Sequence, residues 1–173
     1  MIKLPEIERK SKEEIKAFQN ELLKKQLVYL QENSTYYSEL FKAQKIDIES
    51  INSVEDLIKI PVTTKDELQK YNEKFLCVPK SEIADYVSTS GTSGDPVLIA
   101  MTDEDLERLA YNEALSYDCA GLNTGNTLQL TTTLDRRFMA GLAYFLGARK
   151  AGIGVVRVGS GVPELQWDTI RKI

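Results

Sequence analysis

Apolar positions recur at helical spacing through the first third of the chain. Ile15, Phe18, Leu22, Leu27 and Leu30 fall close to one face of a helix, and Ser11 with Glu14 three residues on supplies its capping box. Tyr36-Tyr37 and Leu40-Phe41 mark a second, shorter helix whose aromatics read as core packing rather than as a stacking platform for bases. Ser53 with Asp56, and Thr64 with Glu67, start two more short helices around Leu57-Ile58 and Leu68, with Pro61 breaking the chain between them. From residue 73 the pattern changes. Phe75–Val78, Tyr86-Val87 and Val97–Met101 are short apolar runs that predict strands. Thr102 with Asp105 caps a helix through Leu106, Leu109, Ala110, Ala114 and Tyr117, which Gly121 and Gly125 end. A strand over Thr127–Thr132, a helix over Phe138–Lys150 closed by Gly152, and a strand over Ile153–Val158 follow. Gly159-Ser160-Gly161 then turns the chain into a helix near Pro163. The fold class predicted is α/β: a helical segment over residues 1–72, then an α/β segment over 73–173 with helices covering a parallel sheet.

Between the second and third predicted strands lies Ser88-Thr89-Ser90-Gly91-Thr92-Ser93-Gly94-Asp95-Pro96. Glycine lets backbone N–H groups turn toward a ligand, and hydroxyls rotate to donate to phosphate oxygens. The segment therefore has the chemistry of an anion-binding loop carried by a β-hairpin. Any Ser/Thr/Gly-rich stretch also suits a solvated turn, and composition does not separate the two readings. It is not a Walker loop, since no G-x-x-x-x-G-K-[ST] pattern is present.

Composition narrows the chemistry. The 173 residues suffice for one domain with a proper core. The net charge of −4 and the lack of a Lys/Arg stripe give no reason to expect nucleic acid. No apolar run approaches the ~18 residues of a membrane span, and the first ten residues have no apolar signal core, so the cytoplasm is the expected location. The sequence has no histidine, which removes Ser-His-Asp and Cys-His catalysis and most transition-metal sites. Cys77 and Cys119 have no partner pattern, so each reads as a small buried hydrophobe, and no metal site is assigned. The apolar pattern of Leu165, Trp167 and Ile170 is unfinished at Ile173, with Trp167 read as a core anchor. That predicts an N-terminal fragment of a larger protein, against the alternative of a short protein with a frayed last helix.

Four segments, in order, resemble the N-terminal part of phenylacetate–CoA ligases and their relatives in the adenylate-forming superfamily. They are Ser34–Phe41; Ser53–Leu57 continuing through Ile60-Pro61-Val62-Thr63-Thr64-Lys65-Asp66-Glu67-Leu68; Thr89–Pro96; and Phe138–Ala143 with Gly147-Ala148 and Ala151-Gly152. The resemblance implies part of a large N-terminal adenylation domain, with the rest of that domain and a small mobile C-terminal domain lying beyond this sequence. It implies that a carboxylate attacks the α-phosphate of ATP, releasing pyrophosphate and giving an acyl-adenylate, from which a thiol, usually coenzyme A, displaces AMP. ATP, Mg²⁺ and coenzyme A are the implied cofactors and co-substrates, a small carboxylic acid the implied substrate, and a homodimer an implied assembly.

On this resemblance Ser88 to Pro96 form the loop that holds the ATP phosphates, and Phe138 and Met139 belong to a segment lining the acid pocket. As bare residues Phe138 and Met139 read equally as core. No catalytic residue is assigned. Asp95 stands where the family commonly has Lys. A carboxylate beside a polyphosphate is repulsive, by about 4 kcal/mol at ~4 Å for an effective dielectric of 20. Asp95 therefore points away, contacts the metal, or marks a subgroup that binds phosphate chiefly through backbone and hydroxyls; the plain alternative is an Asp-Pro turn starter. Arg136 and Arg137 either hold an anion or are exposed surface charges, and Lys65 reads as a solvated helix residue. Two other functions stay open: a synthetase passing its activated group to a non-CoA acceptor, and a relative that keeps the fold without the chemistry.

Overall fold

The computed structural model describes residues 5–89 and 95–173. The chain divides into two compact units, one running through Ser81 and the other Glu82–Ile173. The division falls later than the change in pattern at residue 73. Among the described residues no helix is long and apolar enough to cross a membrane.

The first unit is helical. Helix α1 (Lys12–Asn33) starts at the predicted capping box, with the Ser11 hydroxyl accepting from Glu14 N–H and the Glu14 carboxylate accepting from Ser11 N–H. Ser34 ends α1 and begins α2 (Thr35–Ala43). It is buried, and its hydroxyl accepts from Tyr37 N–H and donates to the Lys74 carbonyl, so one side chain fixes the corner between the helices. Leu27, Phe41 and Ile51 form the core, with Leu23, Tyr37, Ile46, Ile48 and Ile60 packed around them. The α1 positions predicted to share a face therefore split. Leu27 is buried while Phe18 and Leu22 are exposed, because the buried stripe runs through Leu23 and Leu27.

Ser53 and Asp56 begin a 3-10 turn over Val54–Lys59, and Thr64 with Glu67 caps α3 (Lys65–Lys70). Lys65 is half-buried and engaged by a neighbour, contrary to the solvated reading. The predicted strand Phe75–Val78 is absent. Phe75 closes a 3-10 turn (Asn72–Phe75) and stacks on Tyr36 at 4.0 Å between centroids, with Tyr37 meeting its edge at 5.8 Å. Aromatic packing onto α2 takes the residue that a strand would need.

In the second unit β1 (Asp85–Ser88) and β2 (Leu98–Met101) pair antiparallel, Ser88 opposite Leu98. Helix α4 (Asp103–Cys119) follows the Thr102–Asp105 capping box. It ends at Gly121 (φ 79°), where Gly121 and Leu122 N–H groups bond back to the Asp118 and Tyr117 carbonyls. Gly125 lies after that closure and ends no helix. Strand β3 (Thr127–Leu130), helix α5 (Met139–Lys150) and strand β4 (Gly154–Arg157) form a βαβ unit, β3 and β4 pairing parallel with Leu128 opposite Val155. Helix α6 (Pro163–Lys172) has Pro163 in its first turn. Among the described residues the strands make two separate pairs rather than the single parallel sheet that the pattern suggested.

Helices α4 and α5 pack through small residues. Ala110 and Ala114 are buried on α4, and Ala143, Gly147 and Ala148 on α5. A Cβ added at Gly147 would collide with Glu113 Cβ. Two buried-residue expectations fail: Trp167 is 60% exposed on α6, and Cys119 is exposed at the end of α4. Each lies on the side of its helix that no described element covers.

Candidate functional site

The site is built where the hairpin meets the turn before α5. Ser88, the last residue of β1, donates its N–H to the Arg137 carbonyl at 2.9 Å and makes a parallel bridge with Phe138. Thr89 N–H donates to the Val97 carbonyl at 3.1 Å, and Val97 N–H donates to Thr89 Oγ1 at 3.0 Å. The Thr89 hydroxyl thus stitches the base of the hairpin with its acceptor side. Ser90, Gly91, Thr92, Ser93 and Gly94 lie outside the described residues. Asp95 and Pro96 are exposed on the return toward β2, and Asp95 is engaged by a neighbour.

Phe138 and Met139 are brought to this base. Phe138 caps α5 with no side-chain capping bond and remains 37% exposed, too open for a core residue. Met139 is the first residue of α5 and is half-buried. Ahead of them the Thr133 hydroxyl donates to Asp135 Oδ1, and Phe138 N–H donates to the Asp135 carbonyl at 3.2 Å. Between these bonds Arg136 and Arg137 both adopt left-handed backbone, φ 58° and 60°. For residues with a Cβ that conformation costs on the order of 1–3 kcal/mol each.

Helix α5 approaches this turn closely because of Gly141, whose added Cβ would collide with the Thr133 carbonyl. Gln129 Oε1 on β3 and Thr132 Oγ1 just beyond it are closed off from solvent and have no hydrogen-bond partner among the described residues. Buried polar atoms left this way are costly. The sequence reading missed these atoms and the left-handed arginines. Gly141, a glycine inside an otherwise Ala/Leu-rich helix, was the visible signal of the close approach.

The described residues do not build a cage for Mg²⁺: no group of three or more Asp, Glu, Cys or His side chains gathers. Cys77 and Cys119 are free thiols, and burial pushes the Cys77 thiol above its ordinary value, away from nucleophilic use.

The two family-like segments of the first unit meet as well. Tyr36 OH donates to Glu67 Oε1 at 2.7 Å, and Tyr37 OH shares a 2.9 Å hydrogen bond with Thr63 Oγ1. Burial and the Glu67 carboxylate push the Tyr36 hydroxyl up to about 12. Glu67 is held below the usual carboxylate range by Thr64 N–H and hydroxyl, then by Tyr36. These residues are scaffold: their polar groups are spent on one another.

No family model matches the chain. Over 167 residues it is 33% identical to the phenylacetate–coenzyme A ligase of Thermus thermophilus, covering 96% of the chain and 37% of that enzyme. The Escherichia coli phenylacetate–coenzyme A ligase is 30% identical over 170 residues, covering 98% of the chain and 39% of the enzyme. The chain thus spans well under half the length of these relatives. Among solved structures, 2-hydroxyisobutyryl-CoA ligase in its postadenylation state with 2-HIB-AMP superposes with a TM-score of 0.80 at 20% identity, over 92% of this chain and 34% of that one. The same ligase with 2-HIB-AMP and CoA in the thioesterification state gives 0.81 at 21% identity, over 93% and 35%. At that identity the likeness is one of fold.

Proposed function

We propose, from the kinship of this chain with the phenylacetate–coenzyme A ligases along nearly its whole length, that it supplies the phosphate-binding part of an ATP-dependent acid–CoA ligase. The observation that carries the reading is the 33% identity over 167 residues to one such enzyme. The junction of hairpin and α5 supports it, because Ser88, which opens the hydroxyl-rich segment, is bridged to Phe138, a residue that family resemblance gives to the acid pocket.

The acid is activated at the α-phosphate of ATP, pyrophosphate leaves, and the acyl-adenylate passes its acyl group to the thiol of coenzyme A. Catalysis of such transfer is chiefly positioning and neutralisation of phosphate charge. In this chain the hairpin anchors both ends of Ser88–Pro96: Ser88 is tied to the α5 turn and Thr89 to Val97. The intervening hydroxyls and glycine N–H groups then bind the phosphates that become the leaving group. Phe138, exposed at the head of α5, offers an apolar wall for the acid. Mg²⁺, when bound with ATP, would neutralise phosphate charge, and Asp95 is the carboxylate of this segment that would meet it. The rest of the adenylation domain, the small mobile domain, cytoplasmic location and a homodimer belong to the same proposal.

The test is carboxylate-dependent ATP–pyrophosphate exchange on the full-length protein, across aromatic and aliphatic acids. Gly91→Ala and Gly94→Ala are expected to lower the exchange rate by at least about tenfold with little change in acid binding, because contacts to the leaving pyrophosphate tighten in the transition state. Asp95→Lys tightens ATP if Asp95 only starts a turn. Exchange equal in wild type and both glycine variants removes the phosphate-loop assignment.

A further inference from the structure

Helix α1 carries a second face that its core does not use. Leu23 and Leu27 pack inward, whereas Lys25, Val28, Tyr29 and Glu32 stand at i, i+3, i+4 and i+7, one exposed stripe along the helix. Val28 and Tyr29 are 39% and 41% exposed, and exposed Phe18 and Leu22 continue the apolar surface toward the start of α1. The Tyr29 hydroxyl donates to the Cys77 carbonyl at 3.4 Å, which holds its ring in place. The stripe borders a groove of about 430 Å³ between α1 and the 3-10 turn Ile48–Ser50. Val28, Tyr29 and Ile48 give the groove an apolar lining. Lys24 and Lys25 line it toward the start of α1 and Glu32 toward its end, with Glu49 contributed by the turn.

Such a groove is complementary to a copy of itself. A partner of one charge would satisfy either the lysines or the glutamates and be repelled by the others. A twofold interface instead asks that one patch carry both members of each contact, residue i meeting j while j meets i. Set antiparallel about an axis between Val28 and Tyr29, two α1 helices place each Val28 against Tyr29 of the other copy. Lys25 and Glu32 each stand three positions from that axis, so Lys25 meets Glu32 of the other copy, and does so twice in the pair. Among the described residues Glu32 meets no cation, while Lys25 meets Glu21 at 2.6 Å and gains a second carboxylate. We infer that this face of α1 is the surface through which two copies of the chain pair. It uses none of the residues at the junction of hairpin and α5, so it goes beyond the ligase reading and is independent of it.

Sedimentation equilibrium of this chain over a concentration series reads the pairing, with circular dichroism checking that each variant stays folded. The wild type is expected to dimerise. Lys25→Glu and Glu32→Lys are each expected to weaken the dimer at least about tenfold, because every contact across the axis becomes one of like charges. Both substitutions in one chain restore opposite charges and are expected to recover most of the lost affinity. An equal mixture of the two single variants is expected to associate more tightly than either alone, since each supplies the charges the other lacks. Val28→Glu brings two carboxylates to the axis and is expected to abolish pairing. A wild type that stays monomeric at every concentration overturns the inference. So does a dimer unmoved by the charge variants or by Val28→Glu, which puts the contact on another surface. Weakening that neither the double variant nor the mixture recovers gives the groove a different occupant and overturns it as well.

Discussion

Tyr36 shows how much one residue organises. Its ring stacks on Phe75 and meets Tyr37 and Tyr71, while its hydroxyl donates to Glu67. Tyr36→Phe keeps the ring and removes the hydrogen bond, and is expected to cost about 1 kcal/mol at neutral pH. The raised Tyr36 hydroxyl adds a pH signature. A group whose folded pKa lies above its unfolded value contributes stability that is complete below the unfolded value, ~10 for tyrosine, and is lost as pH rises through about 12. The gap between wild type and Tyr36→Phe is therefore expected to narrow on going from neutral to about pH 11, as read by urea denaturation. The pairing of Tyr36 with Glu67 was not legible in sequence. Thirty-one positions separate the two residues, and periodicity speaks only for neighbours.

At the scale of elements, caps and closures decide. The Ser11–Glu14, Thr64–Glu67 and Thr102–Asp105 boxes form where the residues announced them, because a capping box is a contact across three positions and needs no tertiary partner. The closure of α2 departs from the usual residue, with Lys45 where glycine fits best. Lys45→Gly is expected to stabilise the chain by up to about 1 kcal/mol, measured by denaturant midpoint. Gly141 tests the opposite case. Its added Cβ meets the Thr133 backbone carbonyl, which cannot swing aside as a flexible side chain would. Gly141→Ala is expected to destabilise by at least about 1–3 kcal/mol and to separate α5 from the 133–138 turn. Thermal unfolding near the wild-type temperature would show that the approach is looser than described.

For the whole molecule, length governs the expectation. The chain covers 37% and 39% of two phenylacetate–coenzyme A ligases. The 173-residue chain alone is expected to show no ATP–pyrophosphate exchange while retaining weak MgATP binding, in the millimolar range, equivalent to ~4 kcal/mol. Calorimetry and radiolabelled exchange on the same preparation check both halves. Exchange at a full-length rate would show that the matched stretch suffices for adenylation.

What the sequence determined by itself is local or repeated: the capped helices, the β3-α5-β4 order, and the glycine closure at Gly121 and Gly152. Each depends on residues within a few positions of one another, where backbone geometry follows from residue type. The family relation was legible too, because four ordered segments carry more information than any one of them. Only tertiary structure decided the rest. Phe75 packs as an aromatic instead of extending as a strand because Tyr36 and Tyr37 stand against it. Trp167 is exposed because helical period says which residues share a face, not whether a neighbour covers that face. The left-handed backbone of Arg136 and Arg137 was not legible, because it goes with a bond from Ser88, far away in sequence, to the Arg137 carbonyl.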